Sequence, residues 1–138
     1  MSAGRKPSGR AVAEAVLDAS ALLAFLQNEP GADKVEAVLT RSCVSSVNLA
    51  ETLSKLVQYG KPLEAVTYQI ERLRLPVFPF DAADAKVVAS LWPPTRASGL
   101  SLGDRACLAL GLRLAVPVLT AERAWATLKI GVDVGLIR

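Results

Sequence analysis

Four acidic side chains of this 138-residue sequence lie beside apolar segments rather than in polar stretches. Asp18 interrupts the apolar run AVLDASALLAFL, and Glu51 lies within SVNLAETL. Asp104 lies near the start of LSLGDRACLALG, and Glu122 follows VPVLT by two residues. Burying an ionised carboxylate costs much free energy unless it has a partner. For Asp18 the available partners are the first N–H groups of a helix, a basic side chain in an ion pair, or a metal ion.

Each acid also has a purely structural interpretation. Asp18 can cap a helix that starts at the next residue, and Asp104 fits the third position of a capping box opened by Ser101. Glu51 can be a boundary residue whose carboxylate reaches solvent. Glu122 can compensate the dipole of a following helical turn. None of the four acids taken singly therefore indicates a site.

Taken together, the four acids indicate a cation site. Two carboxylates about 4 Å apart repel each other by about 4 kcal/mol at an effective dielectric of ~20, so a cluster of them needs a cation. The chain has no histidine, and its two cysteines, Cys43 and Cys107, are far apart in sequence and are expected to be buried free thiols. Oxygen ligands alone select Mg²⁺ or Mn²⁺, which suit hydrolysis at phosphates.

The elements that position these acids alternate between strands and helices. Short apolar strands are predicted at AVLD, SCVSS, LPVFPF, VPVLT and VDVGLI, with helices between them and a loop at WPPTRASG. The prolines of LPVFPF favour an edge strand, and the apolar character of LSLGDRACLALGLRLA favours a central helix. This order predicts a mostly parallel sheet covered on both faces, with ligands at the carboxyl ends of its strands.

The chain is predicted to form a polar, flexible N-terminal tail, residues 1–11, and a single domain, residues 12–138. No apolar stretch is long enough for a membrane span and no signal core is present, so we expect a cytoplasmic protein without membrane contact.

The charge balance indicates a polyanionic partner. Sixteen lysines and arginines oppose 13 acids, and without the four site acids the remaining net charge is 16 minus 9, or +7. A basic exterior around an acidic pocket suits a nucleic acid that is bound broadly and attacked locally. Arg96, Arg105 and Arg123 are the candidate phosphate contacts, and the alternative for each is a solvated surface residue.

Four segments, VLDASALLAFL, SVNLAE, LSLGDRACLALG and PVLTAERAW, resemble in order the four motifs of the PIN-domain ribonucleases. More narrowly, they resemble VapC-type toxins of bacterial toxin-antitoxin (VapBC) modules. The resemblance implies a three-layer α/β/α sandwich and a Mg²⁺- or Mn²⁺-dependent endoribonuclease that cleaves RNA. It also implies a homodimer that is inhibited by a cognate VapB-like antitoxin.

The resemblance assigns roles to individual residues. Asp18, Glu51 and Asp104 match the three acids of the family site, with Asp18 and Asp104 as direct metal ligands and Glu51 orienting or helping to deprotonate water. Ser20 matches a supporting hydroxyl position. Glu122 stands where the family commonly has aspartate, so it either binds a second metal through water or contributes little.

Two other functions fit the same residues. The chain can be a PIN nuclease of RNA processing without an antitoxin, or a non-catalytic nucleic-acid-binding module whose acids are helix caps. A phosphatase of the DxD type is less favoured because the second residue after Asp18 is Ser20. Apolar faces in the predicted helices at 19–27 and 47–58 can serve an antitoxin helix or simply pack in the core.

Overall fold

A parallel sheet organises the chain. The computed structural model describes residues 13–138; the predicted tail, residues 1–11, lies outside them, and the domain boundary at residue 12 stays a prediction. Within the described residues the sheet has five strands in the order β3-β2-β1-β4-β5, and each neighbouring pair is parallel. The strands are β1 (Ala15–Leu17), β2 (Ser42–Ser45), β3 (Val77–Phe78), β4 (Val118–Thr120) and β5 (Val134–Leu136).

Helices connect and cover the strands. The α-helices of the described chain are α1 (Ala19–Leu26), α2 (Ala32–Val38), α3 (Ser46–Gln58), α4 (Leu63–Glu71), α5 (Ala82–Ser90), α6 (Trp92–Thr95) and α7 (Leu102–Leu114). Short 3₁₀ turns cover Leu39–Arg41, Arg96–Ser98 and Arg123–Thr127. Because short strands alternate with these helices, each strand returns to the sheet in the same direction.

The predicted loop at WPPTRASG is wrong, because the segment is helical. Its two prolines lie in the first turn of α6, where a missing N–H breaks no helical hydrogen bond. The 3₁₀ turn that follows ends at Gly99, whose positive φ of 66° allows the chain to reverse.

Successive strand residues point to opposite faces of the sheet. Val16, Cys43 and Val118 pack in one buried cluster, whereas Leu17 and Val44 pack in another. Since each cluster also contains helical side chains, both faces are covered, which confirms the predicted α/β/α sandwich. The first cluster includes Val88, Ala106, Leu108 and Leu110; the second includes Ala21, Leu22, Ala24 and Val35.

Helix α7 is central, as its composition predicts. Six consecutive residues, 106–111, are buried. The helix lies so close to the sheet that a β-carbon on Gly111 would come within 2.6 Å of Val118 Cγ1. Strand β3 has two residues and, among the strands of residues 13–138, pairs only with β2, so the predicted edge position is also confirmed. Helices α3 and α4 form a separate small cluster around Leu56, Val66 and Ile70.

The two cysteines are free and buried, as expected. Burial raises the pKa of the Cys43 thiol to about 11 and that of Cys107 well above its usual range, so both remain neutral thiols. Among residues 13–138, no helix combines the length and the apolar character that a membrane crossing requires.

Candidate active site

A cavity of about 500 Å³ lies at the carboxyl edge of the sheet, and all four predicted acids line it. Asp18 directly follows β1, and Glu122 lies two residues after the neighbouring strand β4. Glu51 lies in the second turn of α3, and Asp104 lies in the first turn of α7. Residues up to 104 positions apart in sequence therefore share one site, as the topology of parallel sheets predicts.

Asp18 is the most buried of these acids, with 4% of its surface exposed. It is the N-cap of α1, where its Oδ1 accepts a 2.8 Å hydrogen bond from the Ala21 N–H. Thr120 Oγ1 donates to Oδ2 at 2.6 Å. Within residues 13–138, no lysine or arginine forms an ion pair with Asp18. The cap predicted from the sequence is therefore confirmed, and the described residues provide no ion pair.

The environment of Asp18 disfavours its charge. Burial raises the pKa of this carboxyl from 3.8 to about 6, although hydrogen bonds from Thr120, Ala21 and Ser20 act in the opposite direction. The negative charge of Asp104 raises the pKa further. At neutral pH the chain thus holds an ionised carboxylate without a compensating cation from the described residues.

Two hydroxyl groups connect Asp18 to strand β4. Ser20 Oγ lies 2.8 Å from Asp18 Oδ1 and accepts a 2.9 Å hydrogen bond from the Ala121 N–H. Thr120 Oγ1 accepts from the Glu122 N–H at 2.9 Å while it donates to Asp18. Ser20 was predicted to support the site, whereas Thr120 was not, although its place at the end of a strand was a usable signal.

The Glu51 carboxylate packs against the first turn of α7. Asn48, which is only 1% exposed, donates from Nδ2 to Glu51 Oε1 at 2.8 Å and to the Gly103 carbonyl at 3.0 Å. A β-carbon on Gly103 would overlap the Glu51 carboxylate, so a larger residue there would require this carboxylate to move. Asn48 was not among the predicted site residues, and its signal in the sequence is a polar residue one turn before Glu51 on the same helix face.

Asp104 forms the capping box that the sequence predicted. Its N–H donates to Ser101 Oγ at 3.1 Å, and its Oδ2 accepts from the Ser101 N–H at 3.0 Å. This role does not remove Asp104 from the site. After burial, the charges of Asp18, Asp104 and Glu51 all raise the pKa of Cys107. Three acids therefore act electrostatically on the same buried thiol of α7.

Glu122 differs from the other three acids. It is exposed and precedes the 3₁₀ turn Arg123–Thr127, but its side chain makes no capping hydrogen bond. It contributes to the cavity wall from the rim rather than from the buried part of the site.

The three arginines predicted as phosphate contacts do not line the cavity. Arg105 donates from Nη1 to the Val88 carbonyl at 3.0 Å, and Arg123 donates to the carbonyl of the C-terminal residue at 2.9 Å. The Arg96 guanidinium lies 5.8 Å from the centre of the indole ring of α6. Lys55, which the sequence analysis did not select, does line the cavity and lies one turn after Glu51 on α3.

The donor set fits a hard divalent cation in its chemistry. The four acids supply only carboxylate oxygens, and Lys55 is the single basic residue among the described residues that line the cavity. Within residues 13–138, no group of three or more histidine, cysteine or acidic side chains lies close enough together to hold a metal ion. The acids therefore surround a common space without being drawn together at ligand distances.

Comparison with known protein families gives a match over most of the chain. The sequence profile described as PIN domain matches residues 15–130. No curated protein sequence matches the chain.

Solved structures share the fold. A DNA-bound VapBC structure from Salmonella typhimurium contains a chain that is 15% identical, with a TM-score of 0.69 over 91% of this chain and 99% of that one. A toxin-antitoxin complex from Klebsiella pneumoniae gives 17% identity and a TM-score of 0.69 over 90% and 98%. VapBC-5 from Mycobacterium tuberculosis gives 24% identity and a TM-score of 0.55 over 91% and 98%. At these identities the likeness establishes the fold.

Proposed function

The chain belongs to the PIN domain family, and on that basis we propose that it is a metal-dependent endoribonuclease that acts as the toxin of a type II toxin-antitoxin module. PIN domains are generally nucleases, and the similar structures named above are toxin-antitoxin complexes. The proposed reaction is hydrolysis of an RNA phosphodiester bond in the cytoplasm.

The observation that carries this proposal is the cavity with four carboxylates. Two of them have structural roles as helix caps, but capping alone does not explain why Asp18, Glu51, Asp104 and Glu122 line the same space. Carboxylates repel a phosphodiester unless a cation lies between them. A site that combines acids with a polyanionic substrate is therefore consistent with metal-dependent phosphate chemistry.

Asp18 and Asp104 are the residues that would hold Mg²⁺ or Mn²⁺, with Glu122 at a weaker second position. Asp18 keeps a fixed orientation because Ala21, Ser20 and Thr120 hold both of its oxygens. When bound, the ion would neutralise developing negative charge and increase the acidity of water.

Glu51 is the proposed group that orients the attacking water and accepts its proton. Asn48 donates to Oε1, and among the described residues no donor binds Oε2. This arrangement fixes the carboxylate while leaving one oxygen for the water. The amide orientation of Asn48 follows from its neighbours, because its oxygen would face two other acceptors if the group were reversed.

The proposed partners are an antitoxin of the VapB type and a second copy of this chain. Large apolar side chains are exposed at the end of α3 and on α4, including Val57, Tyr59, Leu63 and Tyr68. In contrast, the apolar face of α1 is mostly buried through Ala21, Leu22 and Ala24. The surface around the α3–α4 connection is therefore a better candidate for partner contacts than α1.

Cleavage of RNA tests the proposed activity. Purified protein with Mg²⁺ or Mn²⁺ should cleave single-stranded RNA from a random-sequence pool, and Asp18→Asn should lose at least about 10²-fold in rate, the scale of a removed electrostatic group in an active site. Product analysis on denaturing gels measures this. Cleavage that is equally fast in Asp18→Asn would indicate a contaminating nuclease or a different site.

The two alternatives predict different observations. A non-catalytic binding module would bind RNA without cutting it under the same conditions. A processing nuclease would cut RNA but would have no antitoxin, so an adjacent small reading frame whose product binds this chain and suppresses cleavage would favour the toxin.

A further inference from the structure

We propose that the exposed stripe of α3 binds the nucleotide next to the cleaved bond, with Lys55 contacting its phosphate and an unpaired base packing beside Leu23, Val47 and Ala50. We call this surface the α3 stripe; it is formed by Val47, Ala50, Glu51, Ser54, Lys55 and Gln58, all of which line the cavity. The inference rests on the proposed nuclease function and specifies that the substrate is single-stranded RNA.

The spacing of these residues makes the surface continuous. They recur at intervals of three and one, which places them on one face of α3. At ~1.5 Å per residue the stripe extends about 16 Å, from the carboxylates at one end to polar and basic groups at the other. A strand whose scissile phosphate lies at the acids can therefore continue along the helix towards Gln58.

Charge supports a role for Lys55 in binding phosphate. With all four acids ionised, the cavity carries four negative charges against one positive charge from the described lining residues. The Lys55 side chain is exposed and forms no ion pair within residues 13–138. Along the axis of α3 its backbone lies about 6 Å, one helical turn, beyond that of Glu51, comparable to the separation of successive phosphates in a strand. Lys55 can therefore contact the phosphate next to the cleaved one.

The apolar part of the cavity favours an unpaired base. Leu23 and Val47 are only partly buried, and Ala50 is exposed, so all three present hydrocarbon to the cavity. Such groups offer nothing to a phosphate, but they can pack against the face of a base. Since bases in a duplex already stack on one another, this wall is accessible only to single-stranded RNA.

Steady-state cleavage separates this role from a structural one. The substrate is the single-stranded sequence that the wild type cleaves fastest from a random pool. Lys55→Gln should raise KM by up to about fivefold with kcat changed less than about twofold, since one exposed ion pair is lost. It should also reduce the slope of log KM against log salt concentration by about 0.7. Lys55→Arg should retain wild-type KM.

Lys86→Gln is the matched control, because Lys86 is exposed on α5 and does not line the cavity. The same RNA annealed to its complement should be cut at least about tenfold more slowly. An unchanged KM in Lys55→Gln, an equal change in Lys86→Gln, or equally fast cutting of the duplex would overturn the inference.

A binding measurement distinguishes failure of this inference from failure of the proposed function. Fluorescence anisotropy with a labelled random-sequence single strand, a probe that does not depend on prior cleavage, is recorded in Ca²⁺ for the wild type, Lys55→Gln and Lys86→Gln. If no RNA is cut but Lys55→Gln alone weakens binding, the nuclease proposal fails and the binding surface stands. If RNA is cut while all three proteins bind alike, the surface is wrong and the nuclease proposal stands.

Discussion

Helices α5 and α7 begin with the same local motif but present its acid to opposite electrostatic surroundings. Asp84 in α5 and Asp104 in α7 each occupy the third position of a capping box and each accept a 3.0 Å hydrogen bond from the N-cap N–H. Asp84 pairs with Arg113 at 3.6 Å. Asp104 forms no ion pair within the described residues and shares a cavity with Asp18.

The difference shows that a capping box does not determine what its acid does. The cation for the α5 box comes from the last turn of α7, where Arg113 also lies 5.7 Å from the Phe78 ring centre. The acid of the α7 box has other acids as neighbours instead. A carboxylate whose charge is already balanced within the protein has little to offer a metal ion, whereas an unbalanced one favours a cation from solution.

The largest expected difference between the two capping boxes is in the rate of RNA cleavage by their variants. We expect Asp104→Asn to reduce RNA cleavage by at least about 10²-fold because a cation-facing charge is lost. Asp84→Asn removes a carboxylate that faces Arg113 rather than the cavity, so cleavage by the folded protein should change less than about twofold. Single-turnover rates at saturating Mn²⁺ measure both. Equal losses in the two variants would mean that the acid of α7 has only a capping role.

Stability without metal should separate the two most buried acids, Asp18 and Asp84, which are 4% and 6% exposed. The folded-state pKa of Asp18, about 6, lies above its ordinary value of 3.8, so protons bind the folded state more tightly than the unfolded state. The stabilisation is complete below about pH 4 and is lost as the pH rises through about 6. The wild type should therefore lose up to about 3 kcal/mol of unfolding free energy over this range.

Urea unfolding in EDTA between pH 4 and pH 8 measures this effect. Asp18→Asn should remove most of the decline and be more stable than the wild type at pH 8 by about 1–3 kcal/mol. Asp84→Asn should retain the decline, since it leaves Asp18 unchanged. A wild-type profile that is flat between pH 4 and pH 7 would contradict the described environment of Asp18.

The smallest expected effect is the change in stability of the two capping-box variants, Asp104→Asn and Asp84→Asn, in metal-free buffer. Asp104→Asn should be at least as stable as the wild type, because relief of the repulsion between carboxylates offsets the weaker cap. Asp84→Asn should lose about 1 kcal/mol of unfolding free energy, because both its ion pair and its cap are weakened. Added Mn²⁺ should raise the melting temperature of the wild type and of Asp84→Asn by mass action, but not that of Asp104→Asn. A Mn²⁺ response in Asp104→Asn equal to that of the wild type would place the metal elsewhere.

Much of the fold could be predicted from the sequence because burial determines it. Strands such as Val118–Thr120 are short apolar runs, and the central helix is apolar nearly all round. The prolines of the α6 segment predict a loop because proline breaks a helix interior, but the first turn of a helix accepts them. The acids were predictable because topology brings the carboxyl ends of parallel strands together.

The supporting side chains could not be predicted in the same way. Thr120 meets Asp18 across 102 residues, and Asn48 reaches Gly103 across 55, so their roles depend on how elements pack. Arg105 and Arg123 were predicted from their adjacency to site acids, and Arg96 from its position in the predicted loop. However, neighbours on a helix point about 100° apart, so Arg105 follows Asp104 in sequence but points in a different direction and donates to α5.

Gly103 is a position where stability and geometry oppose each other. Its backbone is ordinary helix rather than the left-handed conformation that favours glycine, so conformation alone does not require it. Alanine would favour the helix by up to about 1 kcal/mol. The added β-carbon would also displace the Glu51 carboxylate from its position beside Gly103. Gly103→Ala would therefore stabilise α7 and move the Glu51 carboxylate at the same time, so the glycine serves the geometry of the site rather than the stability of the helix.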